Sequence, residues 1–269
     1  MSHRGQGQAT IEWSALVLLV GLALAGLGYI ALRQDGWKLG DALVDAIVCV
    51  VADGCPGALE EAYGSELART VRDYAPNIVY ERRSAQLPVD FRRCREPACS
   101  NGSDRMTPIE ESELGLGVTA FTRVIDRRRS GGAVYVQYWL YFPESFTAGV
   151  GRNLGPLVQQ WPGYHADDWE GYQVRIAPDG RVTARASAHG RYRSSKHSGD
   201  WGRWTGWYRI SGGSHAGHLV PGPTGERTTR ARSLRLVPLE GLSATDLYRF
   251  EVSPPWRKVV YRDPESKIS

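Results

Sequence analysis

Residues 163–170 read Gly-Tyr-His-Ala-Asp-Asp-Trp-Glu and are followed by Gly171-Tyr172-Gln173-Val174-Arg175-Ile176. An imidazole and three carboxylates thus lie within six residues, at the head of an alternating run. A strand sends every second side chain to the same face. Asp168 and Glu170 then share a face with Tyr172, Val174 and Ile176, while Trp169, Gln173 and Arg175 point the other way. Two carboxylates on the more apolar face are costly unless something positive meets them. A hard cation held by oxygens, with His165 beside it, is one answer. A buried arginine in a structural ion pair is the other.

Further pieces follow the same order along the chain. Tyr138-Trp139-Leu140-Tyr141-Phe142-Pro143 precedes the acidic motif. Ala188-His189-Gly190 and Gly213-Ser214-His215-Ala216 come after it. Together these resemble the necrosis-inducing (necrosis- and ethylene-inducing peptide-like) proteins and the related vacuolar protein sorting-associated domain family, over roughly residues 74–261. The resemblance implies a β-sandwich in which His165, Asp168 and Glu170 line a divalent-cation site. Oxygen donors favour Mg²⁺ or Ca²⁺ over Zn²⁺. Asp167, His189, His215 and His218 are the further polar residues expected to face that cleft.

The elements that must position these groups are legible in outline. Val134–Phe142 is apolar and aromatic almost without a break, the pattern of a strand buried on both faces. Ile78–Tyr80 and Leu116–Asp126 read as strands. Residues 127–132, Arg-Arg-Arg-Ser-Gly-Gly, read as an exposed turn. Glu144–Tyr164 reads as a long loop leading into the acidic motif. Asp179-Gly180 is a turn signal, so Tyr172–Ile176 and Arg181–Ala188 form a hairpin that brings His189 back towards the acids. Thr224–Leu239 and Leu247–Val252 supply further strands.

Arg191–Tyr208 mixes arginine, lysine, serine and glycine with Trp201, Trp204 and Trp207. Such a mixture suits a membrane interface, a glycan face or stacking on bases, or tryptophans packed on the sandwich with their charged neighbours left in water. Ser211–His218 approaches a nucleophile elbow, but Ala216 stands where a glycine is required and no doubly wound pattern surrounds it.

The N-terminal part differs in kind. Trp13–Leu32 gives 20 residues without a charge, enough for one membrane-spanning helix. Before it stand Gly7, Gln8 and Glu12. This start resembles the class III leader of Flp-type and tight-adherence pilins and pseudopilins. The resemblance implies cleavage after Gly7, Glu12 at the fifth mature position, and pairing of Glu12 with a neighbouring subunit's N-terminus. Residues 33–73 read as a helical stalk whose apolar stripe Leu59, Tyr63, Leu67 and Val71 has packing on the sandwich as its alternative.

The domain plan is therefore a leader at 1–12, a transmembrane helix at 13–32, a helical stalk at 33–73 and a β-sandwich at 74–269. The fold class is mainly β, an antiparallel sandwich preceded by helices. The 269 residues are 42% hydrophobic and 23% charged, with a net charge of +4, which is a globular and mildly basic composition. Cys49/Cys55 and Cys94/Cys99 form two close pairs, the local disulfides expected of an exported chain; a four-cysteine zinc site is the rival, with spacings that fit zinc ribbons poorly.

The chain thus reads as an exported protein, membrane-anchored or secreted after leader processing, whose sandwich binds a divalent cation and a glycan or lipid ligand. A minor pilin-like subunit joined to a filament or secretion apparatus, and a metal-assisted hydrolase, are the alternatives. A nucleic-acid partner is not expected.

Overall fold

The computed structural model describes residues 57–81, 86–102, 108–146, 157, 160, 163–188, 191–193, 201–223, 226–242, 250, 254–257 and 262–265, with backbone alone at 188 and 191–193. The chain divides into two compact units, Met1–Pro56 and Gly57–Ser269. The first lies outside the described residues, and with it the readings of Gly7, Gln8, Glu12, Trp13–Leu32, Cys49 and Cys55. Among the described residues no helix is long and apolar enough to cross a membrane.

The second unit is mainly β. Among its described residues one α-helix, α1 (Ala58–Asp73), precedes eleven strands: β1 (Asn77–Tyr80), β2 (Thr119–Asp126), β3 (Val134–Ser145), β4 (His165–Ile176), β5 (Val182–Ala188), β6 (Arg191–Arg193), β7 (Gly202–Arg203), β8 (Trp207–Ile210), β9 (Gly217–Leu219), β10 (Arg227–Thr229) and β11 (Arg235–Pro238). They form two sheets. The larger runs β11-β2-β3-β4-β5-β6 with β7 beside β5; the smaller runs β10-β1-β8-β9. Pairing is mostly antiparallel, with parallel neighbours at β1–β8 and β11–β2.

β3 and β4 form the spine. Their antiparallel ladder runs from Val134↔Ile176 to Ser145↔His165 in one register, missing only the pair Pro143–Asp167, where proline has no N–H to give and Asp167 is left-handed. Aromatic and β-branched residues fill β3, as a pleated surface buried on both sides favours. The strand is longer than its apolar run. Glu144 and Ser145 continue the ladder opposite Ala166 and His165, so Glu144 is a strand residue and not the start of a loop. Gly180, at φ 80°, turns β4 into β5 in a backbone region that suits glycine.

Alternation along the spine feeds two cores. One face presents Val136, Tyr138, Leu140, Phe142, Tyr172 and Val174 to a core shared with Ile78, Tyr80, Tyr208 and Ile210 of the smaller sheet. The other presents Trp139, Tyr141 and Trp169 to Phe121, Val89 and Phe91. The segment bearing Val89 and Phe91 is closed by a disulfide between Cys94 and Cys99, with Cα atoms 6.1 Å apart. Phe250 and Trp256 complete this aromatic cover, with Trp169 and Trp256 ring centroids 4.8 Å apart.

The helix α1 is part of this unit and not a free stalk. Leu59, Ala68 and Val71 are buried in the shared core. The Tyr138 hydroxyl donates to Val71 O at 2.7 Å, and the Tyr63 hydroxyl to Thr122 O at 2.7 Å. The apolar stripe has a sheet to cover, and burial outweighs extension into solvent.

Gly171 fixes how closely the site strand approaches its neighbours. A Cβ there would lie 2.8 Å from Cε3 of Trp139 and 3.0 Å from Oγ of Ser187. The flanking strands cannot retreat without breaking the ladder. Gly171→Ala is expected to cost about 1–3 kcal/mol, the range for overpacking a closed core, and chemical denaturation of the variant against the parent measures it.

Candidate functional site

The acidic end of the spine sits where β3 finishes and β4 begins. Register places Asp168 opposite Phe142 and Glu170 opposite Leu140, with Glu144 two residues further on the same face. All three carboxylates therefore point to the end of the shared core. Asp168 and Glu170 are buried, at 7% and 2% exposure.

The group that meets Asp168 is a histidine. His215 lies in the connection between β8 and β9, at φ 50° and fully buried. Its ring stacks on Phe142, with centroids 3.9 Å apart and planes 3° from parallel. Nδ1 lies 2.8 Å from Asp168 Oδ2, and Nε2 lies 2.5 Å from Gln86 Oε1. The amide of Gln86 is oriented by its other end, where Nε2 donates to Glu144 Oε1 at 3.1 Å. Both ring nitrogens consequently face side-chain oxygens. The result is a buried chain, Asp168–His215–Gln86–Glu144.

Each carboxylate has its own surroundings. Asp168 Oδ1 accepts from the backbone N–H of Trp169 at 3.1 Å, and His165 Nε2 stands 3.9 Å from the same oxygen. His165 is half-exposed and forms the rim. Glu170 Oε2 accepts from the Ser187 hydroxyl at 3.2 Å, and Ser187 Oγ accepts in turn from the Gly171 N–H at 2.5 Å. Burial pushes the Glu144 carboxyl up, against the charge of His215 and hydrogen bonds from Tyr164 and Gln86, which favour ionisation.

Asp167 faces the opposite core. It adopts φ 58°, a left-handed conformation that aspartate tolerates better than most residues. Arg95 Nη2 reaches its two oxygens at 2.8 and 2.7 Å, and the Tyr141 hydroxyl donates to Oδ1 at 2.8 Å. Arg95 adjoins the disulfide cysteine Cys94 and lies over the Phe250 ring at 4.6 Å. Burial first, and the neighbouring Asp167 next, push the Tyr141 hydroxyl far above its ordinary range. An arginine ion pair and a histidine pair thus hold consecutive aspartates on opposite sides of one strand.

The other sequence candidates are scattered. His189 lies outside the described residues. His218 is in β9 opposite Arg209, with Nε2 3.1 Å from Ser211 Oγ. Trp201 packs near Tyr135 at the far end of β3, Trp204 meets Tyr74 edge-on at 5.2 Å beside the helix, and Trp207 lies under Arg230 at 5.2 Å. The three tryptophans thus occupy three different places and do not form one surface beside the acids. Gln86, Glu144 and Arg95 belong to the site or its support and were not marked by any local motif.

The donor set has the chemistry of a hard-cation site, with carboxylate oxygens and one rim imidazole. Among the described residues, however, no three His, Cys, Asp or Glu side chains are arranged to share one ion. His215 already takes Asp168 Oδ2. Residues 147–156, which follow β3, and 189–190, which follow β5, lie outside the described residues. Compared with known families, curated proteins and solved structures, the chain matches none.

Two outcomes follow from the buried chain. His215→Leu leaves Asp168 buried without its direct partner and should cost about 3–5 kcal/mol. Combined with Asp168→Asn, the loss should fall short of the two single losses added together, as a double-mutant cycle by denaturation would read. Glu144 has a raised folded value, so the stability its proton confers is full below the ordinary 4.5 and is lost as pH rises through that raised value. Glu144→Gln should flatten this decline in a series of melting temperatures against pH.

Proposed function

We propose that the folded unit is a binding module whose acidic end takes a hard divalent cation, Mg²⁺ or Ca²⁺, and through it an oxygen-rich ligand such as a glycan or lipid head group. The observation that carries this reading is the imbalance at the buried end. Asp168 meets one imidazole, His215, directly, and Glu144 reaches the same ring only through Gln86, so two carboxylates share a single histidine. A cation drawn to His165, Asp168 and Glu170 would offset carboxylate charge at this end. The resemblance to the necrosis-inducing and vacuolar sorting-associated proteins points the same way, to His165, Asp168 and Glu170.

Binding is favoured over hydrolysis for a geometric reason. His215 is fully buried, and both of its nitrogens are committed to Asp168 and Gln86. A general acid or base must reach the proton it moves, and this ring supports the site from behind. The N-terminal stretch and the closed Cys94–Cys99 pair support an exported chain tethered at a membrane. Processing after Gly7 and assembly through Glu12 would make that tether pilin-like.

Thermal unfolding of the full chain in EDTA and in excess Mg²⁺ or Ca²⁺ tests the proposal. A cation at a hundred times its Kd adds about 2.7 kcal/mol to native stability, which is several degrees in Tm at this size. The parent should show this rise, and Asp168→Asn and Glu170→Gln should lose it. A parent with no cation response would reduce the cluster to a structural brace and leave the pilin-like assembly role as the better account.

A further inference from the structure

The outer face of the larger sheet carries a second polar array, at the end of β3 remote from Asp168. In-register pairing sets Arg123, Gln137, Gln173 and Arg185 side by side, one from each of β2, β3, β4 and β5. The next row holds Tyr135, Arg175, Thr183 and Arg203. Gln137, Gln173 and Arg185 are almost wholly buried. A row of amides and guanidinium groups in a buried sheet face is expensive unless acceptors meet it.

The chain's own C-terminal segment supplies acceptors. Asp263 Oδ1 accepts from Arg127 Nη2 at 2.9 Å, and Glu265 Oε1 lies 3.1 Å from Arg175 Nε and takes the Tyr135 hydroxyl proton as a hydrogen bond. The Pro264 carbonyl accepts from Arg185 Nη2, while Arg185 Nε donates to Gln173 Oε1 at 2.9 Å. Trp201 closes the array from the side, 4.2 Å from the Arg185 guanidinium and 6.0 Å from that of Arg175. Every described partner that the segment presents to this face is an oxygen acceptor.

The fit is incomplete. Gln173 is 1% exposed, yet its Nε2 has no hydrogen-bond partner among the described residues. Arg123 Nη1 and Thr183 Oγ1 are likewise buried and unpartnered there. The carboxylates of the segment, by contrast, sit at the surface, Asp263 at 54% and Glu265 at 40% exposure. Exposed ion pairs of that kind hold a segment only weakly, although attachment to the same chain gives it a high effective concentration.

We propose that this face is an oxyanion-binding site, for a carboxylate or sulfate group, and that residues 263–265 form a displaceable strap occupying it. A bound oxyanion would offer acceptors to Arg127, Arg175 and Tyr135 in place of the strap, and would bring further oxygens to the buried donors that the strap leaves unmet. The site shares no residue with the acidic end, so the two proposals stand or fall separately.

Isothermal titration of the full chain with sodium sulfate, and separately with a sulfated disaccharide, tests it. Neutralising the strap by Asp263→Asn with Glu265→Gln should tighten sulfate binding by about tenfold or more, as an internal competitor is removed. Adding Arg175→Gln to that background should reverse the gain; Arg127→Gln is the substitute if that triple variant does not fold. A disaccharide that binds about tenfold tighter than sulfate would identify a sugar-borne group, and equal binding a free anion; either supports the site. Equal sulfate affinity in the parent and the strap-neutralised chain would overturn the proposal, as would a gain that survives loss of Arg175.

Discussion

The β3–β4 ladder constrains everything around it. It keeps one register from Val134↔Ile176 to Ser145↔His165, with only Pro143 and Asp167 unpaired in it, and each strand has a buried environment on both sides. A slip of one residue would send every side chain to the other core. Trp139, Tyr141 and Trp169 would then meet the smaller sheet, and Asp168 would lose His215. The fit at Gly171, where Trp139 and Ser187 approach the backbone, leaves little room for such a shift.

The same alternation explains why two adjacent aspartates need different counter-charges. Asp167 faces the aromatic core and is met by a bidentate arginine and a tyrosine hydroxyl. Asp168 faces the shared core and is met by a stacked, buried histidine. Each partner arrives from a distant segment: Arg95 from the disulfide-closed loop, His215 from the connection between β8 and β9. Buried charges without such partners would be costly, so the strand end is held only when both loops are seated. The acidic end is therefore also a point where separate parts of the fold are tied together.

The two ends of the outer sheet face show contrasting solutions to burial. Near Trp169 the cover is aromatic, with Phe91, Phe250 and Trp256 packed edge-on against the rings below. Near Tyr135 the cover is polar, and the C-terminal residues 263–265 meet guanidinium groups and amides with oxygen atoms. Aromatic packing is non-directional in its main term, and there only Trp169 Nε1 and Trp139 Nε1 need a directed partner. A polar cover must match each donor, and here it leaves several unmet. The unmet donors of the polar end, Gln173, Arg123 and Thr183, are what the proposed oxyanion site rests on.

Much of this was legible in the residues alone. Period-two alternation in residues 168–176 assigns Asp168 and Glu170 to one face and Trp169 to the other, and the continuous apolar run in β3 marks a strand covered on both sides. The Asp179-Gly180 turn and the close spacing of Cys94 and Cys99 are local signals of the same kind. The sequence also poses the charge question correctly, since carboxylates on an apolar face demand a partner. It could not answer it. Gln86, Arg95 and His215 are brought to the aspartates by contacts between residues 47 to 129 positions apart, and no local period encodes such a distance. Nor does any local rule distinguish a helix that stands free from one whose stripe is covered, which is why α1 belongs to the core, or place three nearby tryptophans on three different surfaces. Local geometry follows from the backbone's fixed repeats; the choice of partners follows from how the two sheets and their loops close over one another.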